Sequence, residues 1–205
     1  MALTVLGAGW VGPSTLTIPA GTKGILATVS SDGSATSQLS LGGLTFTKSA
    51  RITGGYKSRA ECFYLTDISG RANDVLSYTG GEYQIILTYV GADGALELHE
   101  AKATNIYGST AYTHTHTAPE ASNLVVAGVA DWYYNDCSLS GTLTAYVDGG
   151  HYDARHARIV GAEVSSVSQT AKRASPSGEG VYASISFREI PASGGKRLQQ
   201  SIIIA

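Results

Sequence analysis

Val181-Tyr-Ala-Ser-Ile-Ser-Phe187, continued by Arg188, is the stretch that decides the fold. Val181, Ala183, Ile185 and Phe187 are apolar, while Tyr182, Ser184, Ser186 and Arg188 between them are polar or amphipathic. A period of two predicts a strand with one face in a core and the other in water. Leu143, Ala145 and Val147 alternate with Thr142, Thr144 and Tyr146 in the same way, and Leu96 and Leu98 with Glu97 and His99. Gly24-Ile-Leu-Ala-Thr-Val29, Tyr83-Gln-Ile-Ile-Leu-Thr-Tyr-Val90 and Leu124-Val-Val-Ala-Gly-Val-Ala130 are apolar on both faces. Such runs are expected as central strands covered on both sides. The core is expected to hold Ile25, Val29, Leu41, Phe63, Leu65, Leu87, Leu124, Val126, Val129, Ile185 and Phe187.

Turn chemistry separates the runs. Ser31-Asp-Gly-Ser34, Leu41-Gly-Gly-Leu44, Gly54-Gly55, Gly80-Gly81, Gly91-Ala-Asp-Gly94 and Asp148-Gly-Gly150 recur at the rhythm of an antiparallel sandwich. No stretch reads as an amphipathic helix longer than two turns, and no internal repeat is evident. The expectation is an all-β, single antiparallel sandwich of about ten strands with less than ~10% helix. The sandwich is assigned to residues 1–191 and a C-terminal strand-like arm to residues 192–205.

Composition narrows the function classes. The 205 residues include 25 Gly, 43% are hydrophobic and only 15% charged, so the chain has enough apolar matter for a core. A formal net charge of −2 offers no basic footprint for nucleic acid. No apolar run is long enough for a membrane helix, and the N-terminus lacks the basic start of a signal peptide. The expected place of synthesis is a cytoplasm, with Cys62 and Cys137 as two half-buried thiols. A disulfide between them stays open for a product that ends outside the cell.

Five pieces in order carry a resemblance. Gly24-Ile-Leu-Ala-Thr-Val-Ser30 followed by Ala35-Thr-Ser-Gln-Leu-Ser-Leu-Gly-Gly-Leu-Thr-Phe-Thr-Lys48 resembles the opening strand and hairpin of lectin-like β-sandwich modules of phages and bacteria. Glu61-Cys-Phe-Tyr-Leu65, Thr113-His-Thr-His-Thr117 with Asn123-Leu-Val-Val-Ala127, and the 181–187 strand resemble the later strands. The match spans residues 15 to 190. It implies a jelly roll of the kind found in secreted cell-surface proteins and in phage tail or head appendages. It carries over no catalytic residues. Without a leader, the chain is expected to be a non-enzymatic virion protein: a head-decoration, collar or tail-appendage subunit made in the host cytoplasm. Its expected partners are other virion proteins, further copies of itself and a host surface glycan, with no cofactor and no membrane insertion. The rival function is a carbohydrate-binding module acting alone.

Few residues suggest chemistry. His114 and His116, two apart on a strand, point from one face and offer two zinc ligands, with His99, Asp153 or His156 as a third. The plainer expectation is that they decorate a wet face with the threonines on the opposite side, and that no metal binds. His151-Tyr-Asp-Ala-Arg-His156 reads as a solvated turn. Gly7-Ala-Gly-Trp-Val-Gly12 matches a dinucleotide fingerprint in letters only, because no helix pattern follows. Asp131, Trp132, Tyr133, Tyr134 and Asn135 combine flat rings with hydrogen-bonding groups, which suits a sugar. The structural alternative puts Trp132 and Tyr134 into the core and subunit contacts. Leu198, Ile202, Ile203 and Ile204 make the arm apolar, and with Trp10 they are the expected assembly contacts.

Overall fold

The computed structural model describes residues 3–12, 14–31, 37–53, 59–68, 70–80, 83–117, 122–131, 137–141, 144–147, 152–160, 166–173 and 179–190. Among these there are seventeen strands and no helix, and all recorded strand pairs are antiparallel. The all-β antiparallel sandwich expected from the period is what the chain forms. The jelly-roll connectivity rests on the resemblance alone.

The first nine strands are β1 (Thr4–Val11), β2 (Thr15–Thr17), β3 (Gly24–Ser31), β4 (Gln38–Leu41), β5 (Leu44–Thr45), β6 (Thr47–Thr53), β7 (Arg59–Thr66), β8 (Asn73–Thr79) and β9 (Tyr83–Gly91). They build a five-stranded sheet in the order β1-β9-β3-β7-β6 and a four-stranded sheet in the order β2-β8-β4-β5. Gly42 and Gly43 both take positive φ, 52° and 83°, which is the backbone that a two-residue hairpin between β4 and β5 requires. Between the two sheets lies an apolar cluster with Leu16, Ile18, Ile25, Val29, Leu41, Phe63 and Leu87.

The remaining strands are β10 (Ala95–Tyr107), β11 (Ala111–Thr117), β12 (Ser122–Asp131), β13 (Cys137–Gly141), β14 (Thr144–Val147), β15 (Tyr152–Val160), β16 (Ser166–Arg173) and β17 (Glu179–Ile190). Their sheets run β10-β17-β12-β15-β14 and β11-β16-β13. This is the first half's strand order repeated, with β10, β11, β12 and β13 standing for β1 to β4 and β14 to β17 for β6 to β9. No counterpart of β5 occurs among the described residues.

The irregularities repeat as well. The β1–β9 ladder skips one residue between Val5 and Gly7, and the β10–β17 ladder skips one between Leu98 and Glu100. The β6–β7 ladder skips one between Lys48 and Ala50, and the β14–β15 ladder one between Ala145 and Val147. Read across to the central strands, the first pair of bulges places Gly24 on Leu124 and the second places Thr28 on Gly128. Two independent bulges therefore give one and the same register between β3 and β12. The chain is a tandem pair of sandwiches, which corrects the expectation of one sandwich of about ten strands without a repeat.

The two five-stranded sheets are the inner ones and pack on each other. A second apolar cluster joins Leu3, Leu26, Cys62 and Val90 of the first half to Leu124, Val126, Ile185 and Phe187 of the second. Each central strand is thus covered on both faces, and every residue of β3 is buried. Nine of the expected core residues are buried: Ile25, Val29, Leu41, Phe63, Leu87, Leu124, Val126, Ile185 and Phe187. Leu65 is only partly buried, because it packs against the rim of the first cluster. The side chain of Val129 lies outside the described residues.

The polar face of the 181–188 strand is not wet. Tyr182, Ser184 and Ser186 are fully buried, because the β11-β16-β13 sheet lies over them. Cys62 is likewise fully buried rather than half-buried. Its thiol is pushed far above the usual range by burial and by the neighbouring Glu61 carboxylate. The side chain of Cys137 and the whole 192–205 arm lie outside the described residues.

Gly24 marks the close approach of the halves. A Cβ there would stand 2.5 Å from Leu96 Cδ1 and 3.0 Å from the Leu65 carbonyl oxygen. Gly24→Ala is expected to cost about 1–3 kcal/mol in a urea unfolding curve, the range of overpacked sites.

Candidate functional site

The side chains singled out for sugar binding fall outside what the structure describes. Asp131 ends β12 with its side chain undescribed, and Trp132, Tyr133, Tyr134 and Asn135 lie outside the described residues. Leu198, Ile202, Ile203 and Ile204 do too. Trp10 lies on β1, at the edge of an inner sheet, with its backbone opposite Ile86 and its side chain undescribed. Gly7 to Val11 belong to that same strand, so the fingerprint-like glycines are not a strand-to-helix turn.

The histidine pair is described in full, and its orientation is the reverse of the expected one. His114 and His116 point inward from β11, 4% and 0% exposed, while Thr113, Thr115 and Thr117 face out. The period of two gives two faces but not their direction. Burial is decided by what β17 offers beneath.

Beneath them lies Ser184. Its Oγ is 2.7 Å from His114 Nδ1 and 2.7 Å from His116 Nε2. His114 Nε2 is 3.1 Å from the Thr104 hydroxyl, and its ring stacks on Tyr182 with centroids 4.0 Å apart. His116 Nδ1 lies 3.3 Å from Glu100 Oε2, at ion-pair distance but without hydrogen-bond alignment. Glu100 accepts from the Thr117 hydroxyl at 2.7 Å and pairs with Lys102 at 3.3 Å. The Lys102 ammonium also donates to the Thr115 carbonyl.

Two opposite sets of hydrogens satisfy the bonds among His116, Ser184, His114 and Thr104, and the Glu100 carboxylate beside His116 Nδ1 favours the set that puts a proton there. His116 keeps its proton on Nδ1, toward Glu100, so Nε2 accepts from the Ser184 hydroxyl. Ser184 then accepts from His114 Nδ1, and His114 Nε2 accepts from Thr104. Both imidazoles are neutral in this arrangement. Burial pushes each down to about 4; for His114 the further causes are His116 and Lys102, and for His116 they are Lys102 and His99, against Glu100. Burial alone would raise Glu100, but hydrogen bonds from Thr117 and Lys102, with the Lys102 charge, hold it below the usual carboxylate range.

Ser184, His116 and Glu100 follow one another as a nucleophile, a base and an orienting carboxylate do in acyl transfer. Access is what differs. A groove of about 550 Å³ between β10 and β11 is lined by Lys102, Thr104, Tyr112 and His114, and reaches neither Ser184 nor His116. Among the described residues the Ser184 hydroxyl is fully buried and shared by the two rings. The array joins two sheets.

As for metal, no group of three or more His, Cys, Asp or Glu side chains converges among the described residues. His99, a proposed third ligand, lies with Nε2 2.9 Å from the Thr117 hydroxyl. Asp153 and His156 lie on β15, with side chains outside the described set; His151, the start of the supposed turn, is not described.

A second polar cluster escaped the sequence reading. Glu61, fully buried on β7, takes the Ser37 hydroxyl and Lys48, 3.0 Å away, on one oxygen. Its other oxygen faces Arg59 at 3.8 Å and Tyr78 Oη at 3.4 Å. Glu61 alternates with Phe63, which should have marked it as inward-pointing.

No family model matches the chain, and no curated protein matches it. Among solved structures, the dimeric latent PorU from Porphyromonas gingivalis is similar at 8% identity and a TM-score of 0.24. That alignment covers 92% of this chain and 25% of the PorU chain, so the protein spans about a quarter of that chain's length. At such a score the likeness carries no argument about fold or function.

Proposed function

We propose that the chain is a non-enzymatic structural subunit of a bacteriophage virion, serving as a head-decoration, collar or tail-appendage protein. The observation that supports this is where the reactive side chains are used. In the Ser184–His116–Glu100 array, which elsewhere would do chemistry, Ser184 and His116 are buried between two sheets and bonded to each other across them, with Glu100 partly exposed at the rim. Outward strand faces carry hydroxyls instead, with Thr15 and Thr17 on β2 and Thr113, Thr115 and Thr117 on β11. A rigid module with a hydroxylated surface serves by shape and docking, as the resemblance implies. Its partners in this role are other virion proteins and copies of itself.

Fractionation tests it. After lysis, the protein should co-purify with particles at a fixed ratio to the major head or tail protein through a density gradient. Recovery wholly in the soluble fraction overturns the virion assignment. Glycan binding by that soluble protein, lost in Trp132→Ala and Tyr133→Ala, would instead make it a free lectin-like module.

A further inference from the structure

We infer that the chain is a covalently fused dimer: the inner face of each sandwich is an isologous docking face, and the partner it fits is a second sandwich of the same kind. This stands apart from any virion role. The stacking of the inner sheets carries it. β10 packs on β6 and its counterpart β1 on β14; β17 packs on β7 and its counterpart β9 on β15; β12 crosses its own counterpart β3. The contact of β12 on β7 is likewise returned by β3 on β15, and of the contacts between the halves only that of β17 on β6 has no equivalent of similar extent; the central strands lie on the axis. That is the signature of a two-fold interface. Two unrelated domains joined in tandem have no reason to obey it.

The side chains agree with the strands. By the bulge-anchored register Leu3 corresponds to Leu96, Val5 to Leu98, Leu26 to Val126 and Val90 to Phe187. All eight belong to or pack against the one cluster between the halves. Both sandwiches thus use the same four positions of the same face. The connection between them is short, Ala92 to Gly94. Glu189 Oε1 receives the backbone N–H groups of Asp93 and Gly94 at 2.8 and 2.6 Å.

The test uses the full chain with a recognition site for a sequence-specific protease inserted after Gly94, folded first and then cut. The two fragments should remain one particle of full-chain mass by size exclusion at ~1 μM, a concentration at which a Kd of ~10 μM would leave roughly nine-tenths of them apart. Leu26→Glu in the cut chain should separate them into two folded halves that keep their strand spectrum, whereas Thr115→Glu on an exposed face should leave them together. Separation of the unaltered fragments overturns the proposal. So does a Leu26→Glu particle that stays whole, or fragments that lose their strand spectrum once apart, because a fused dimer comes apart into self-sufficient sandwiches.

Discussion

Between pH 6.5 and pH 4 the second sandwich should lose several kcal/mol of stability while the first is spared. His114 and His116 have folded-state values near 4 against an ordinary 6.5. The folded form resists protonation, so the unfolded chain binds more protons as the pH falls through 6.5. The contribution of the pair is therefore whole above 6.5, drains away between 6.5 and 4, and changes no further below 4. A separation of that size corresponds to about 3 kcal/mol for each imidazole.

The surroundings set the direction. The rings face Tyr182 and Ser184 on β17, Thr104, Lys102, Glu100 and His99 on β10, and Tyr112 on their own strand. Among the charged groups, Glu100 alone favours an imidazolium, and it is already engaged by Thr117 and Lys102. Hydrogen exchange at pH 7 and pH 4.5 should show β11 and β16 losing protection. The first sandwich supplies a control, since Leu87 stands where Ser184 does, and Leu16 on β2 and Ile18 just after it are buried in the first cluster as the histidines of β11 are buried in the second half. The triple variant His114→Leu, His116→Leu, Ser184→Leu should flatten the pH dependence of the unfolding midpoint. An unaltered slope in that variant would assign the acid sensitivity elsewhere.

Phe187→Ala should cost about 3–5 kcal/mol, the range for an aromatic removed from a core. Phe187 is fully buried in the cluster between the halves, and its ring meets Tyr64 of the first half edge-on at 5.0 Å and 65°. Such an aromatic pair adds about 0.5–1.5 kcal/mol to the burial. The truncation strips both terms from the shared interface, and a guanidinium curve should shift its midpoint accordingly. A loss under ~1 kcal/mol would mean that Phe187 does not pack against the first half.

Strand type and most of the core were legible because period two and doubly apolar runs are local properties. Val126, Ile185 and Phe187 could be named from their neighbours alone. What hid the duplication was divergence of the side chains at matched positions. Gly7 corresponds to Glu100, Val11 to Thr104, Leu87 to Ser184 and Tyr89 to Ser186, so an apolar interior in one copy is polar in the other. Only the backbone, through strand order and bulges, keeps the likeness. Gly24-Ile-Leu-Ala-Thr-Val29 and Leu124-Val-Val-Ala-Gly-Val129 were the one visible echo. The histidines failed for a related reason: β17 presents serines, and serines read as solvent-facing until a third layer covers them.

In each sandwich the first strand pairs with the last, Thr4 opposite Gly91 and Ala95 opposite Ile190. Antiparallel neighbours joined this way have their free ends side by side. Tension applied between Thr4 and Ile190 therefore enters each ladder at one end and opens its bonds singly, like a zipper, rather than shearing them together. Both ladders would peel at low force, β1 from β9 and β10 from β17. As a tether loaded through its ends the protein would be weak. Compression or sideways load across the stacked sheets meets the whole packed interior at once, and that is the direction in which this molecule can bear a mechanical burden.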